Sequence, residues 1–591
     1  MGQFSMVHVD SATEAPAGWD EAGATADAGR ALCGKGWLAP ASVLFVALTV
    51  NLAGNARTGL WDRDEPRYAT AVREMRARGD WIVPWFNDSP RYHKPILSYW
   101  LMALTTAVAG DNPYGARLPS VLAGGGTCIL TWWIGRRLLG PRGGWIAGLM
   151  MAVAPIVVAE SKLATTDSLL AFFLVGAQAC LLTLSEGPSR RAAMLFWACL
   201  GLAFLTKGPV ALALIAAAAA CAWWLGWPAR EVAWRLQLRL GLLAFAAIAL
   251  PWYLAVLVAT RGDFYRFAIG TQIVQRVTTG MEQHGGVPGY YLALSTVAFY
   301  PWSAFVPAAA FGAWKRRRTR PDLAFLLGWM VGPWLFLECL PTRLLHYYLP
   351  AYPACALLVA WMVESVASEG VPVRRWPLGR LAMGTMIVLG LAGAALLAAA
   401  GALRPGPTRP PLMLCSAILA AGTMLATIRL RQGATRRGML SAACAWWLIM
   451  GITGGWLIPA AEEFRTSARV GRRLEALSAE LGTPIVLLNY QEPGVIYAAG
   501  HPLSTVREKR DLERILDTRP ELLSAVTPEE RVAYSEKYAL DMATIETVDG
   551  LSLTKGRTHA IELVVLRRRS EPPTRGDSTA RRDPAEQPLV K

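Results

Sequence analysis

The sequence predicts a mainly α, polytopic transmembrane protein with a small extracytoplasmic α/β domain at its C-terminal end. Three observations predict it. Of the 591 residues, 53% are apolar and only 17% are charged, against about 25% charged in ordinary globular domains. Apolar runs close to the ~20 residues a bilayer needs follow one another from Trp37 to Pro459. From about Ala460 the composition turns to that of a soluble α/β unit.

Taken in order, residues 1–36 are rich in Gly, Ala, Asp and Glu. They lack the basic flank and small-residue cleavage site of a secretory signal, so they are expected to form a disordered cytoplasmic tail. Trp37–Ala56 is then a start-transfer helix that stays in the membrane. Further candidate spans are 117–135, 143–160, 167–184, 191–206, 208–227, 239–259, 290–312, 323–340, 347–367, 379–402, 411–428 and 438–459. The expectation is about thirteen spans within a transmembrane domain over 37–459.

The run Pro95–Gly110 is shorter and begins at a proline. If it does not span and the N-terminus is cytoplasmic, the basic clusters at Arg136–Arg142, Arg190–Arg191, Arg230–Arg239, Lys315–Arg318, Arg374–Arg375 and Arg429–Arg437 all lie inside. If it spans, they all lie outside. It therefore reads as a juxtamembrane or re-entrant helix within a first outer loop over 60–116. The same topology brings five polar stretches to one outer face: 64–99, 159–167, 206–208, 260–290 and 341–348. Such a convergence of charge at one interface is where a membrane enzyme would hold its active site.

Beyond the spans, residues 460–568 predict a helix over Arg465–Leu481, strands in PIVLLNY and IELVVLRRR, and a helix in DLERILDTRPELLSAV. Residues 569–591 are expected to be a disordered tail. The net charge of +16 is scattered in short clusters between apolar runs rather than gathered in a patch, which marks topology and not a nucleic-acid partner. Of the nine cysteines, eight lie in or beside apolar runs and no CxxC occurs. A disulfide framework or zinc knuckle is not expected.

The densest polar stretch runs from Asp64 to Tyr99. Asp64 and Glu65 lead a helix with Pro66 in its first turn. Both acids suit a helix N-terminus for electrostatic reasons alone; equally, a carboxylate at the water–lipid boundary can act as a general base or orient an acceptor. Lys94, fixed before Pro95, suits a phosphate or a lipid headgroup. Asp167 is either an N-cap or a pocket acid, and Lys207 sits in the turn LTKGPVAL. Arg343 and His346–Tyr348 fit either phosphate contacts or an interfacial aromatic belt. His93, His284 and His346 fall on the outer face, where histidines beside carboxylates can bind a divalent metal, although no two are close in sequence.

The motifs DEPRYATAVREM, GDWIVPWFN, RYHKPILSYW, SKLATTDSLLAFF, LTKGPVAL, TTGMEQHGGVPGYY and LLHYYLPAYPACALL occur in an order that resembles the bacterial membrane glycosyltransferases of the aminoarabinose (lipid A) transferase and protein O-mannosyltransferase-like superfamily. The resemblance is strongest over residues 37–367. It implies a GT-C fold, a bacterial inner-membrane location with a periplasmic site and C-terminal domain, and a polyprenyl-phosphate sugar as donor. It further implies inverting transfer to an envelope glycolipid. By motif it implies Asp64 and Asp167 as pocket acids, and the adjacent Glu65 is a further catalytic candidate from the residues themselves. Lys94, Arg67, Lys207, Arg343 and Tyr347 fall to the donor phosphate. The aminoarabinose transferases usually carry Glu before the lysine and use it with the loop histidine for a metal. Here His93 and His284 are the corresponding candidates for zinc or magnesium. No nucleotide cofactor is expected. A protein O-glycosyltransferase is the same-class alternative. A lipid or sugar flippase is the alternative of another class, though transporters gather ionisable residues near the midplane rather than at one interface.

Overall fold

Helix-breaking residues decide where the long apolar runs turn. The computed structural model describes residues 36–61, 64–270, 288–404, 406–506, 508–552 and 557–569. Nearly all of the expected N- and C-terminal tails, and His284, lie outside the described residues. The first helices are α1 (Leu38–Leu52), α2 (Asp64–Arg78), α3 (Leu97–Ala109), α4 (Pro113–Val153), α5 (Pro155–Ser161), α6 (Asp167–Glu186), α7 (Arg190–Lys207), α8 (Val210–Trp224) and α9 (Leu238–Ala259). Helix α4 is two arms. Gly140 leaves the helical region at φ 81° ahead of Pro141, and the arms fold so closely that a Cβ on Gly135 would lie 2.7 Å from Gly144 Cα. The expected spans 117–135 and 143–160 are these arms, the second continued into α5.

Among the described residues, seven helices are long and apolar enough to cross a membrane: Pro113–Val153, Asp167–Glu186, Leu238–Ala259, Leu345–Ser368, Gly379–Leu403, Arg409–Arg431 and Thr435–Ala460. Several other expected spans are shorter or broken. α1 and α8 have 15 residues each. The run 290–312 is not one helix but Tyr290–Ala298, a 3₁₀ turn at Trp302–Phe305 and a helix at Val306–Arg316. Pro301 explains the break, since it has no N–H to donate and disfavours a helical Tyr300. α3, at 13 residues and ~1.5 Å per residue, is too short to span alone.

Packing sorts the helices. The segment Leu345–Ser368 is 89% buried over its most apolar window, while Leu238–Ala259 is only 17% buried, so the first is a central pillar and the second presents its side chains outward. α10 (Pro321–Glu338) crosses α8 at backbone distance. A Cβ on Gly328 would lie 2.3 Å from Ala222 Cα, and one on Gly332 would lie 2.2 Å from Ala217 O. This GxxxG pair lets the two helices approach where lipid supplies no hydrophobic drive.

The stretch after α2 is ordered by its own polar groups. Strands β1 (Trp85–Phe86) and β2 (Ser89–Pro90) form a two-residue hairpin whose turn residues, Asn87 and Asp88, both have positive φ, as a type I′ turn requires. Glu74 accepts the N–H groups of Asn87 and Asp88 at 2.7 and 3.1 Å. Asp80 accepts those of Ile82 and Val83, each at 3.0 Å, and Trp85 Nε1 at 2.9 Å.

The C-terminal segment begins with the helix Thr466–Leu481 and carries a parallel pair, β3 (Val486–Leu487) with β4 (Ser504–Thr505). An antiparallel sheet follows in the order β5 (Glu521–Val526), β7 (Arg557–Arg568), β6 (Leu540–Ser552). A single bridge, Ile485 to Leu523, joins the two. In DLERILDTRPELLSAV only Lys509–Thr518 is helical, because Pro520 ends the helix and ELLSAV becomes β5. Helix α11 (Pro493–Ala499) packs on α2.

Candidate active site

The site is built from the ends of α2, α5, α6 and α7 and the 3₁₀ turn Leu345–Ala351. The N-terminus of α2 is fixed from below. Glu65, 1% exposed, receives Arg117 Nε on Oε1 at 2.9 Å and a second guanidinium nitrogen on Oε2 at 2.7 Å. Its oxygens also accept the N–H groups of Trp61 and Ala164, each at 2.6 Å. Arg117 spends its remaining donors on Thr58 Oγ1 at 2.8 Å, Thr58 O at 3.1 Å and Gly59 O at 2.6 Å. A buried charge pair holds only when its hydrogen bonds are all made, and here they are. This corrects the catalytic reading of Glu65: its carboxylate is consumed in holding the loop, while its neighbour Asp64 points outward, 69% exposed, 3.8 Å from Arg67.

Four ionisable groups near Asp64 are linked in a line of successive contacts. Lys207 Nζ lies 2.5 Å from Asp167 Oδ1. The other oxygen of Asp167 lies 3.9 Å from His346 Nε2, and His346 Nδ1 lies 3.7 Å from Glu160 Oε1. The Lys207 ammonium also sits 4.5 Å from the centre of the Tyr347 ring, a cation–π contact. Lys94 stands within electrostatic range of Asp167 and His346, and Asp64 within range of Glu160 and His346.

This line ends at a cavity of about 750 Å³. Lys94, Lys207, His93 and Tyr347 stand at its polar end, and Leu170, Phe204, Leu214, Phe245, Leu250 and Phe264 help to wall the rest. Two cations at the mouth of an oily chamber suit a phosphate carrying a hydrocarbon chain.

Other candidates fall elsewhere. Arg343 is pinned by Glu338, at 3.0 Å from its carboxylate and 2.7 Å from its carbonyl oxygen, and is not among the cavity-lining residues. That engagement counts against the donor-phosphate role expected for it. His93 is exposed, its ring 4.9 Å from Phe267. Among the described residues no group of three or more His, Cys, Asp or Glu side chains is arranged to hold a metal ion. His284, the residue expected to share a metal with His93, lies outside the described residues.

Outside the spans, burial pushes the Glu74 carboxyl above its ordinary value, only partly offset by the Asn87 and Asp88 N–H groups. Burial also acts on Asp80, but its hydrogen bonds from Trp85, Val83 and Ile82 outweigh it and hold that carboxyl below its ordinary value.

Residues 93–254 match the family described as dolichyl-phosphate-mannose-protein mannosyltransferase. The chain is 32% identical over 344 residues to the undecaprenyl phosphate-alpha-4-amino-4-deoxy-L-arabinose arabinosyl transferase of Edwardsiella ictaluri, covering 56% of this chain and 60% of that one. To the enzyme of the same name from Aeromonas salmonicida it is 30% identical over 414 residues, covering 68% and 73%. The chain belongs to this arabinosyltransferase family. The Pseudomonas aeruginosa member is 34% identical over 348 residues, covering 56% and 62%, so the alignments span about three-fifths of the length of some relatives. The crystal structure of ArnT from Cupriavidus metallidurans bound to undecaprenyl phosphate superposes with a TM-score of 0.72 at 21% identity, covering 89% of this chain and 98% of that one. That likeness is one of fold, the GT-C fold.

In this member of the family, sequence reasoning missed two contributors. Glu160 lies in the polar stretch 159–167, AESKLATTD, but nothing in that stretch singles it out from Asp167. Arg91 is 7% exposed, donates to the Tyr99 hydroxyl at 3.1 Å and lies 5.3 Å from the Tyr68 ring centre. Its only sequence signal is its place in RYHKP, within the polar stretch that α2 begins.

Proposed function

We propose that the chain moves an amino-pentose from an undecaprenyl-phosphate carrier to a lipid A-like glycolipid at the outer face of the bacterial inner membrane. The observation that carries this reading is the meeting of Lys94 and Lys207 with Asp167 at the polar end of an apolar cavity of about 750 Å³. Family membership supports the donor class, since the relatives' names specify it. The basic clusters on the opposite side of the spans support the orientation.

In the proposed reaction the donor's hydrocarbon chain lies along the apolar wall and its phosphate rests between Lys94 and Lys207. An acceptor oxygen attacks the anomeric carbon as the bond from that carbon to the phosphate oxygen breaks, in one displacement with inversion. The electron pair of the broken bond leaves on the phosphate, where the two ammonium groups stabilise the growing charge. Asp64, exposed and within electrostatic range of Glu160 and His346, orients the acceptor. If the acceptor is a hydroxyl, Asp64 takes its proton; if it is a phosphate, the nucleophile is already anionic and no base is needed. Asp167 stabilises positive charge on the sugar while keeping Lys207 in place.

The match to the protein mannosyltransferase description over 93–254 favours one second reading, transfer to protein. Mass spectrometry of envelope lipids and secreted proteins, from cells with the chain, without it, and with Asp64→Asn, separates the two. Loss of an amino-pentose from a glycolipid in both deficient strains supports the proposal. A glycan missing from proteins favours the second reading. Unchanged glycans with redistributed lipid-linked sugar would point to a flippase.

A further inference from the structure

We infer that Glu160 binds the amino group of the transferred sugar, so that the site selects a cationic amino sugar over a neutral one. This inference rests on the transferase reading above.

Glu160 is 6% exposed, yet its carboxylate is unlike the other buried acid of the site. Glu65 has four hydrogen bonds from Arg117, Trp61 and Ala164. Among the described residues nothing donates a hydrogen bond to Glu160; its nearest opposite charge is His346 Nδ1, at 3.7 Å, beyond hydrogen-bond length. Burying a carboxylate without donors is costly. An arriving ammonium would supply the donors.

The layout of charge fits the layout of the donor. Lys207, Asp167, His346 and Glu160 are linked by contacts in that order, and Lys207 and Glu160 also act on each other electrostatically, so the phosphate-holding ammonium and the Glu160 carboxyl belong to one row of contacts. In a 4-amino pentose linked through its anomeric carbon, the phosphate and the amino group stand across the ring from each other. A sugar lying along the row with its phosphate at Lys207 presents its amino group toward Glu160. Asp167 is already held by Lys207, and Asp64 is exposed beside Arg67. Glu160 is therefore the acid best placed for this task.

The test uses the full chain, purified and reconstituted, with lipid A as acceptor and two donors: undecaprenyl phosphate carrying 4-amino-4-deoxy-L-arabinose, and its N-acetylated, uncharged counterpart. The wild type is expected to prefer the free amine. Glu160→Gln should raise KM for the amine donor about tenfold or more with kcat within about threefold, and should leave KM for the acetylated donor unchanged. Glu160→Asp should fall between. An equal change for both donors, or none for either, would overturn the inference and leave the transferase reading standing. So would a wild type that takes both donors with the same KM, a comparison that needs no variant to fold. A wild type inert with both donors would instead overturn the transferase reading, and the inference with it.

Discussion

Lys207 Nζ lies 2.5 Å from Asp167 Oδ1, and each side chain is only 9% exposed. Removing one partner of such a pair leaves the other charge buried alone, at a cost of roughly 3–5 kcal/mol, whereas neutralising both is far better tolerated. Lys207→Met and Asp167→Asn should each lower the Tm of the detergent-solubilised protein. The double variant should regain much of that stability while remaining inactive. Thermal unfolding set beside transfer activity checks this. A double variant no more stable than the worse single would mean that the pair is not the source of the loss.

Asp64 is expected to behave in the opposite way. Its side chain is 69% exposed and its nearest ion-pair contact is Arg67 at 3.8 Å, so little stability depends on it. Asp64→Asn should leave Tm unchanged and reduce kcat by about 100-fold or more if the group serves as the base. Near-normal turnover of the variant would remove Asp64 from the mechanism. The neighbouring Glu65→Gln should show the reverse pattern, with a large fall in stability.

That contrast marks how far the sequence could be read. Asp64 and Glu65 are adjacent acids in one motif, and helix periodicity alone does not tell which turns inward. The answer lies with Arg117, 52 residues away, a separation that no local pattern encodes. Lys94, Asp167 and Lys207 were legible because each sits where an apolar run meets a polar turn, and topology alone brings those turns to one face. Glu160 and His346 meet only because α5 and the Leu345–Ala351 turn pack against each other. The break in 290–312 was more accessible, since Pro301 stands in plain sight, but hydrophobicity alone reads through it. In the C-terminal segment β6 went unrecognised: its charged and small residues weaken the alternation that marks a strand, and its pairing with β7 supplies what the pattern lacks.

The outer loop carries a pH dependence of defined sign. Asp80 has its carboxyl held below the ordinary value by the Trp85, Val83 and Ile82 donors, against the effect of burial. Its stabilising contribution is therefore fully present above the unfolded value of about 3.9 and is lost as pH falls through the lower folded value. At neutral pH Asp80→Asn should melt below the wild type, and the gap should close in acid. Intrinsic fluorescence melts across pH 2–7 would follow it, because Trp85 reports on the same loop. A gap that stays constant across that range would mean that the charge of Asp80 is not what orders the loop.

The C-terminal segment is tied to α2 and the hairpin after it by hydrogen bonds. Arg73 on α2 bonds Asp111 at 2.8 Å and the Tyr497 carbonyl oxygen at 3.1 Å, with its guanidinium 4.6 Å from the Tyr497 ring centre. Nearby, the Asn87 side chain and the Leu503 backbone exchange two hydrogen bonds, at 2.9 and 2.7 Å. These contacts are partly exposed, so each is worth about 1 kcal/mol. Arg73→Ala combined with Asn87→Ala should loosen the C-terminal segment, seen as faster limited proteolysis within residues 460–569. The N-terminal turn of α2 is secured separately by Glu65 and Arg117, so kcat should fall only severalfold. A collapse of kcat to the level of Asp64→Asn would show that the C-terminal contact, rather than the buried pair beneath Asp64, is what keeps the catalytic acid in position.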